Sequence, residues 1–173
     1  MFLELIATVF AGIGAAGLVM ALNWTTGRRL PRWLMPVGAG AAMIAMTLWS
    51  EYNWYDRTVA GLPEGIEVAE VSEARQIYRP WTYALPYVDR FLAVDVGGMQ
   101  SNPARPGEHI ANIYLMGRWQ PVKSFPVAVD CGGLRRAALM DEARFGEDGA
   151  VEGAAWTQVS AGDPVLSAAC AQG

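Results

Sequence analysis

Two apolar stretches, residues 2–22 and 34–49, flank a short loop that carries Arg28, Arg29 and Arg32. No other feature limits the fold as much, because stretches buried in lipid must satisfy their backbone internally, as helices do. The first stretch holds one charge, Glu4, near its start. It matches the roughly 20 residues that cross about 30 Å of hydrocarbon. The second is uncharged but short. It reaches a full span only by continuing through Glu51 to residue 54, with the Glu51 carboxylate at the interface. Pro36 falls in its first turn, where a missing N–H does least harm. Neither stretch shows the polar stripe of a helix that faces water. The reading is a transmembrane hairpin over residues 1–55, with spans at 2–22 and 34–54 and a loop at 23–33.

A cleaved signal peptide would need a basic leading region, and no Lys or Arg precedes Arg28. The positive-inside rule puts the arginine loop in the cytoplasm. Both termini and all that follows the second span then lie outside, which predicts a bacterial inner-membrane protein with a periplasmic domain. Aromatic residues fit those boundaries. Trp24 and Trp33 bracket the loop, and Trp49, Tyr52, Trp54 and Tyr55 cluster at the other side, where rings with one polar atom suit the headgroup layer. Gly12 and Ala16 are four apart, as are Gly38 and Ala42. Such pairs let helix backbones approach closely, either within the hairpin or against another integral membrane protein. No ionisable residue sits mid-span, which argues against a proton or ion path.

Residues 51–173 carry ten Lys or Arg against sixteen Asp or Glu, a net charge of −6. That balance argues against nucleic acid and against anionic lipid surfaces as partners of this part. Its length suffices for one small domain with its own core. Cys131 and Cys170 are the only cysteines. In an oxidising compartment an isolated pair reads as one structural disulfide. There is no C-x-x-C, and His109 is the only histidine, so neither a metal nor another cofactor is implied.

Gly61, Pro63 and Gly65 mark residues 56–65 as a linker, and the domain occupies 66–173. Strands are predicted at 66–71, 90–96, 110–118, 120–129, 134–140 and 156–159. Within 90–96, Leu92, Val94 and Val96 share one face and Phe91 and Ala93 the other. Pro121 and Pro126 make 120–129 an edge or an interrupted strand. Residues 72–79 read equally as a short helix or as extended chain. Asp148-Gly149 is a tight-turn dipeptide. Asp163 as N-cap and Pro164 at the first position open a final helix over 164–171. The fold class is a membrane protein with a two-helix transmembrane hairpin and a small, mostly antiparallel α+β domain ending in a helix.

Residues 90–170 also resemble a known family. The carrying motifs are Val129-Asp130-Cys131, the Arg135-Arg136-Ala137-Ala138-Leu139 strand, the Phe145-Gly146-Glu147-Asp148-Gly149 turn, Trp156-Thr157-Gln158-Val159, and the helix ending Ala168-Ala169-Cys170. This pattern resembles the surface-adhesin protein E-like group of small bacterial extracytoplasmic domains. The resemblance implies a small antiparallel sheet with a helix against it and a Cys131–Cys170 bridge. Members of that group carry a signal peptide or a lipid anchor, whereas this chain has two apolar stretches.

Catalytic equipment is sparse. His109 sits in a turn-rich segment and reads as a lone surface histidine, structural rather than catalytic. Gly97-Gly98 and Gly132-Gly133 fit turns or bulges and no phosphate loop. The acid pairs Asp141-Glu142 and Glu147-Asp148 match no calcium-loop spacing. Arg135 and Arg136, adjacent on a strand, must point to opposite faces. Trp81, Trp119 and Trp156 read as core or half-buried residues, with one of them a candidate exposed anchor. The functional expectation is a non-enzymatic membrane-anchored protein with a periplasmic interaction domain. It would be an accessory or assembly subunit of a larger membrane complex. The alternative is an extracellular binding or adhesion module.

Overall fold

The computed structural model describes residues 2–101, 105, 107–139, 144–145, 151–152 and 154–171, without the side chains of 144, 145 and 152. The chain forms two compact units, Met1–Arg57 and Thr58–Gly173. In the first, α1 (Phe2–Thr25) and α2 (Leu34–Tyr52) pack side by side. Gly12 lies against Met43 and Gly38 against Val19, so the two helices run antiparallel. Asn23 closes the connection. Its carbonyl accepts from the Arg28 N–H at 2.6 Å, and its side-chain oxygen accepts from the Leu30 N–H at 3.1 Å. Gly27, with φ of +70°, supplies the left-handed step that this turn needs.

The expectation of two spans is met only in part. Among the described residues only α1 is long and apolar enough to cross a membrane, a property that anchors and signal sequences share. The 19 residues of α2 reach about 28 Å at 1.5 Å each, but its last turn carries buried Ser50 and Glu51. It does not run on to residue 54 either. Asn53 ends it, donating its N–H to the Trp49 carbonyl, and α3 (Trp54–Ala60) begins directly after. That short helix occupies the first half of the expected linker.

The second unit is built on an antiparallel sheet. Its strands are β1 (Ile66–Ala74), β2 (Tyr87–Asp95), β3 (Gln100–Ser101), β4 (Glu108–Gly117), β5 (Gln120–Asp130), β6 (Arg135–Ala138) and β9 (Thr157–Gln158). Their order is β1-β2-β4-β5-β6-β9, and β3 pairs with β4. A separate ribbon joins β7 (Arg144–Phe145) to β8 (Val151–Glu152). The Asp148-Gly149 turn between them lies outside the described residues, as do both acid pairs and Met140. Near-neighbour pairing follows from short connections, which bring consecutive strands together.

The final helix, α4 (Pro164–Cys170), forms as the sequence predicts. Asp163 Oδ1 accepts from the N–H groups of Val165 and Leu166, each at 3.1 Å, satisfying two donors that the helix itself cannot. Val165, Leu166 and Ala169 then pack with Val94, Ala111, Ile113, Val127 and Val129 as the core. Leu92 and Val96 join that face, in step with the predicted alternation. The Cys131–Cys170 disulfide ties the end of α4 to the end of β5, with Cα atoms 5.9 Å apart.

β5 has two halves. Among the described residues, Val127–Asp130 pairs with β4 on one side and β6 on the other, whereas its first half pairs with β4 alone. Pro126 marks the change. Its carbonyl accepts from the Leu139 N–H at 2.9 Å, and Pro126 has no N–H to return.

The strand directions give the sheet two distinct ends. The chain enters at Ile66, beside Asp95, and Glu108, Asp130 and the disulfide lie at that end. Gly65, with φ of +90°, presses on Gly97 so closely that a Cβ there would meet backbone at 2.8 Å. The opposite end carries the loop between β1 and β2 and the turn between β4 and β5.

Candidate functional site

Each residue singled out in the helical unit has a definite place. Gly12 is buried, and a Cβ there would meet the Met43 side chain at 2.6 Å. A Cβ added at Gly38 would meet Val19 Cγ2 at 3.0 Å, and Ala16 and Ala42 are half-buried. Trp24, Trp33 and Trp49 are exposed and Trp54 is partly so. Most large apolar side chains of α1, including Phe2, Phe10, Ile13 and Leu18, remain uncovered. At the loop end, Val19, Met20, Asn23, Leu30, Pro31, Arg32 and Met35 line a shallow depression. It gathers no acid, histidine or nucleophile.

One polar cluster in this unit was not foreseen. Ser50 Oγ donates to Glu4 Oε1 at 2.8 Å, and the Arg57 guanidinium lies 3.4 Å from the same oxygen. Arg57 also donates to the Ser50 carbonyl at 3.2 Å and sits over the Trp49 ring at 5.6 Å. The cluster joins the start of α1 to the end of α2. Its partners are 46 and 53 residues apart, so no local pattern announces it. Charge-assisted bonds of this kind are strong where water is scarce.

At the entry end of the sheet, Arg135 and Arg136 do point apart, and each has its own acid. Arg135 Nε is 2.7 Å from Asp130 Oδ2 and its guanidinium covers the Trp156 ring at 4.7 Å. Arg136 pairs with Asp163 at 3.3 Å. Burial pushes the Asp130 carboxyl up, but the Gly133 N–H and the Arg135 guanidinium outweigh it and hold the group below its ordinary value. This arrangement braces the turn that leads into the disulfide.

His109 is corrected from a surface to a buried residue, 8% exposed on β4. The register sets it opposite Ser101 of β3, and Ser101 Oγ and His109 Nδ1 share a hydrogen bond of 2.9 Å. Among the described residues no carboxylate bonds to the ring, so no nucleophile–base–acid set is assembled. Nor do any three His, Cys, Asp or Glu side chains among them gather to hold a metal ion.

The opposite end of the sheet is built differently. Residues 75–86 fold back through a 3-10 turn, Pro80–Tyr83. Thr82, 1% exposed, pins it from within. Its hydroxyl accepts from the Gln76 N–H at 2.9 Å and donates to the Arg79 carbonyl at 2.7 Å. The large apolar side chains point the other way. Ile77 is 87% exposed and Trp81 46%, with Tyr78, Tyr83 and Leu85 also outside. Trp119, in the β4–β5 turn, is 58% exposed, and Arg118 sits over its ring at 5.1 Å. Two of the three tryptophans expected in or near the core are thus on the surface, and only Trp156 is half-buried. Burial of an aromatic depends on what the fold brings over it, and here Thr82 takes the inward position.

No family model, curated protein or solved structure matches this chain. The chemistry of its own surfaces therefore carries the functional argument.

Proposed function

We propose that this chain is a non-enzymatic, membrane-anchored protein whose second unit is an extracytoplasmic interaction domain. It acts as an accessory or assembly subunit of a larger membrane complex. The observation that carries the anchor is the outer surface of the packed helix pair. Gly12 and Gly38 are used up between α1 and α2, yet Phe2, Leu5, Phe10, Ile13 and Leu18 stay uncovered. A helix so apolar on its free side is stable in lipid and not in water. In this reading α2 crosses beside α1, with Glu4, Ser50 and Arg57 at the outer boundary and Arg28, Arg29 and Arg32 in the cytoplasm. The bonded Cys131–Cys170 pair supports an oxidising compartment for the β unit. The likeness of residues 90–170 to the surface-adhesin protein E-like group agrees with an extracytoplasmic domain that binds and does not catalyse.

Co-purification from native membranes in mild detergent tests the proposal. The expected result is one enriched integral membrane partner; a monodisperse monomer with no partner above control overturns the subunit role. A reporter at residue 173 that requires export should be active, and a cytoplasmic-only reporter there should be silent. The reverse pattern would invert the topology.

A further inference from the structure

We propose that the depression between α1 and α2 beside the arginine loop binds one anionic glycerophospholipid, with the phosphodiester on the loop arginines and part of one acyl chain in the depression. The first argument is shape. An apolar lining of Val19, Met20, Leu30 and Met35 is joined there by Asn23 and Arg32. The space is about 280 Å³, just below the ~300–1,000 Å³ of pockets that enclose a whole small molecule. It therefore takes part of a lipid and leaves the rest to the bilayer. Exposed Trp24 and Trp33 flank the loop and mark headgroup depth. Val19 lies about 7 Å deeper than Trp24 along α1, at 1.5 Å per residue. The lining thus passes from the headgroup layer into hydrocarbon, as a lipid does. Asn23 fixes the turn through its bonds to the Arg28 and Leu30 N–H groups, so the site is formed before its ligand arrives.

The second argument is charge, counted over the helical unit alone. No acid lies between Glu4 and Glu51 in the chain. At 1.5 Å per residue, Glu4 is about 30 Å from the loop end of α1 and Glu51 about 25 Å from that of α2. Both distances reach roughly three Debye lengths of ~8 Å. Among the described residues Arg28, Arg29 and Arg32 make no ion pair, and all three are exposed. The first turn of α2 opens at the same place without a side-chain cap, and its N–H groups add to the positive field. Basic pockets between helices on the cytoplasmic side suit anionic headgroups, and a guanidinium offers paired donors to a phosphodiester. A zwitterionic lipid brings its own cation to the arginines and gains less from them.

The proposal rests on the anchored reading, which puts the residues after Arg57 across the bilayer from this loop, and the two fail separately. The full chain in an uncharged detergent is offered phosphatidylglycerol and phosphatidylcholine in equal amounts, and native mass spectrometry counts the lipid retained. One phosphatidylglycerol should stay bound, preferred about ten-fold or more. Arg29→Gln and Arg32→Gln, both at exposed positions, should each lower that preference about five-fold. Met35→Trp keeps every charge but fills the depression, and should abolish retention. Arg75→Gln, exposed in the second unit, should change nothing. Equal retention of the two lipids overturns the proposal, as does a count that climbs past one without a plateau. A loss with Arg75→Gln equal to that with Arg32→Gln overturns it too, because the attraction is then diffuse. Release of the lipid by an equal concentration of inorganic phosphate would assign the arginines to a soluble anion and also overturn it. Failure of the full chain to float with phosphatidylcholine vesicles refutes the anchor instead, and the retention assay in detergent still decides the site.

Discussion

The two ends of the β unit divide labour. At the entry end every conspicuous group is tied down. A disulfide joins α4 to β5, Asp163 caps the helix, and Asp130 and Asp163 each hold an arginine. At the far end one buried threonine holds a loop whose large side chains touch water. The comparison teaches where stability and recognition reside. The first end makes the domain rigid, and the second spends apolar side chains on display that the core could have used.

Removing the disulfide is expected to have the largest effect. Closing a 39-residue loop is worth about 4 kcal/mol in the chain-entropy model. The pair Cys131→Ser and Cys170→Ser should lower the denaturant midpoint of the β unit accordingly, and a shift under about 1 kcal/mol would deny the entry end its role as clamp. Thr82→Val is next. It keeps the shape but leaves the Gln76 N–H without the hydroxyl, at about 1–2 kcal/mol. Faster proteolysis or amide exchange should be confined to residues 75–86, whereas global loosening would show that the ends are not independent.

Acid sharpens the contrast further. The folded Asp130 carboxyl titrates below its ordinary 3.8. Its stabilisation is therefore fully present above that value and fades as pH falls through the lowered one. Asp130→Asn should flatten the acid limb of the stability profile, and an unchanged limb would remove the brace from the account. The smallest effect belongs to the display itself. Trp81→Ser and Trp119→Ser should each change stability by less than about 0.5 kcal/mol, as exposed positions do. A loss of several kcal/mol in a thermal or denaturant melt would mean that those rings are structural.

Much of this frame is legible in the sequence. The apolar runs, the Asp163-Pro164 start of α4, the alternation through β2 and the cysteine pair all rest on local rules. Pro126 is a further case, since the edge-or-interruption reading describes a strand that is paired differently in its two halves. What stays hidden depends on residues far apart in the chain. Ser50 and Arg57 meet Glu4 only when α2 returns along α1, and Ser101 meets His109 only through β3. Trp81 and Trp119 read as core or half-buried, with one exposed anchor among the three tryptophans, because the sequence does not say which side of a loop will be covered. The far end of the second stretch was overread because Ser50 and Glu51 count as interface residues in a one-dimensional scan, whereas α2 buries both and stops at Tyr52.

Among the described residues one half of β5 pairs only with β4, and this bears on how copies of this protein meet. An open strand edge invites a neighbour's strand and, from there, aggregation. Here Pro121 and Pro126 interrupt the donors along that edge, and Lys123, the only lysine in the chain, sits between them. Crowded molecules are thereby discouraged from zipping together edge to edge, which keeps the domain soluble while its aromatic end stays open for other work.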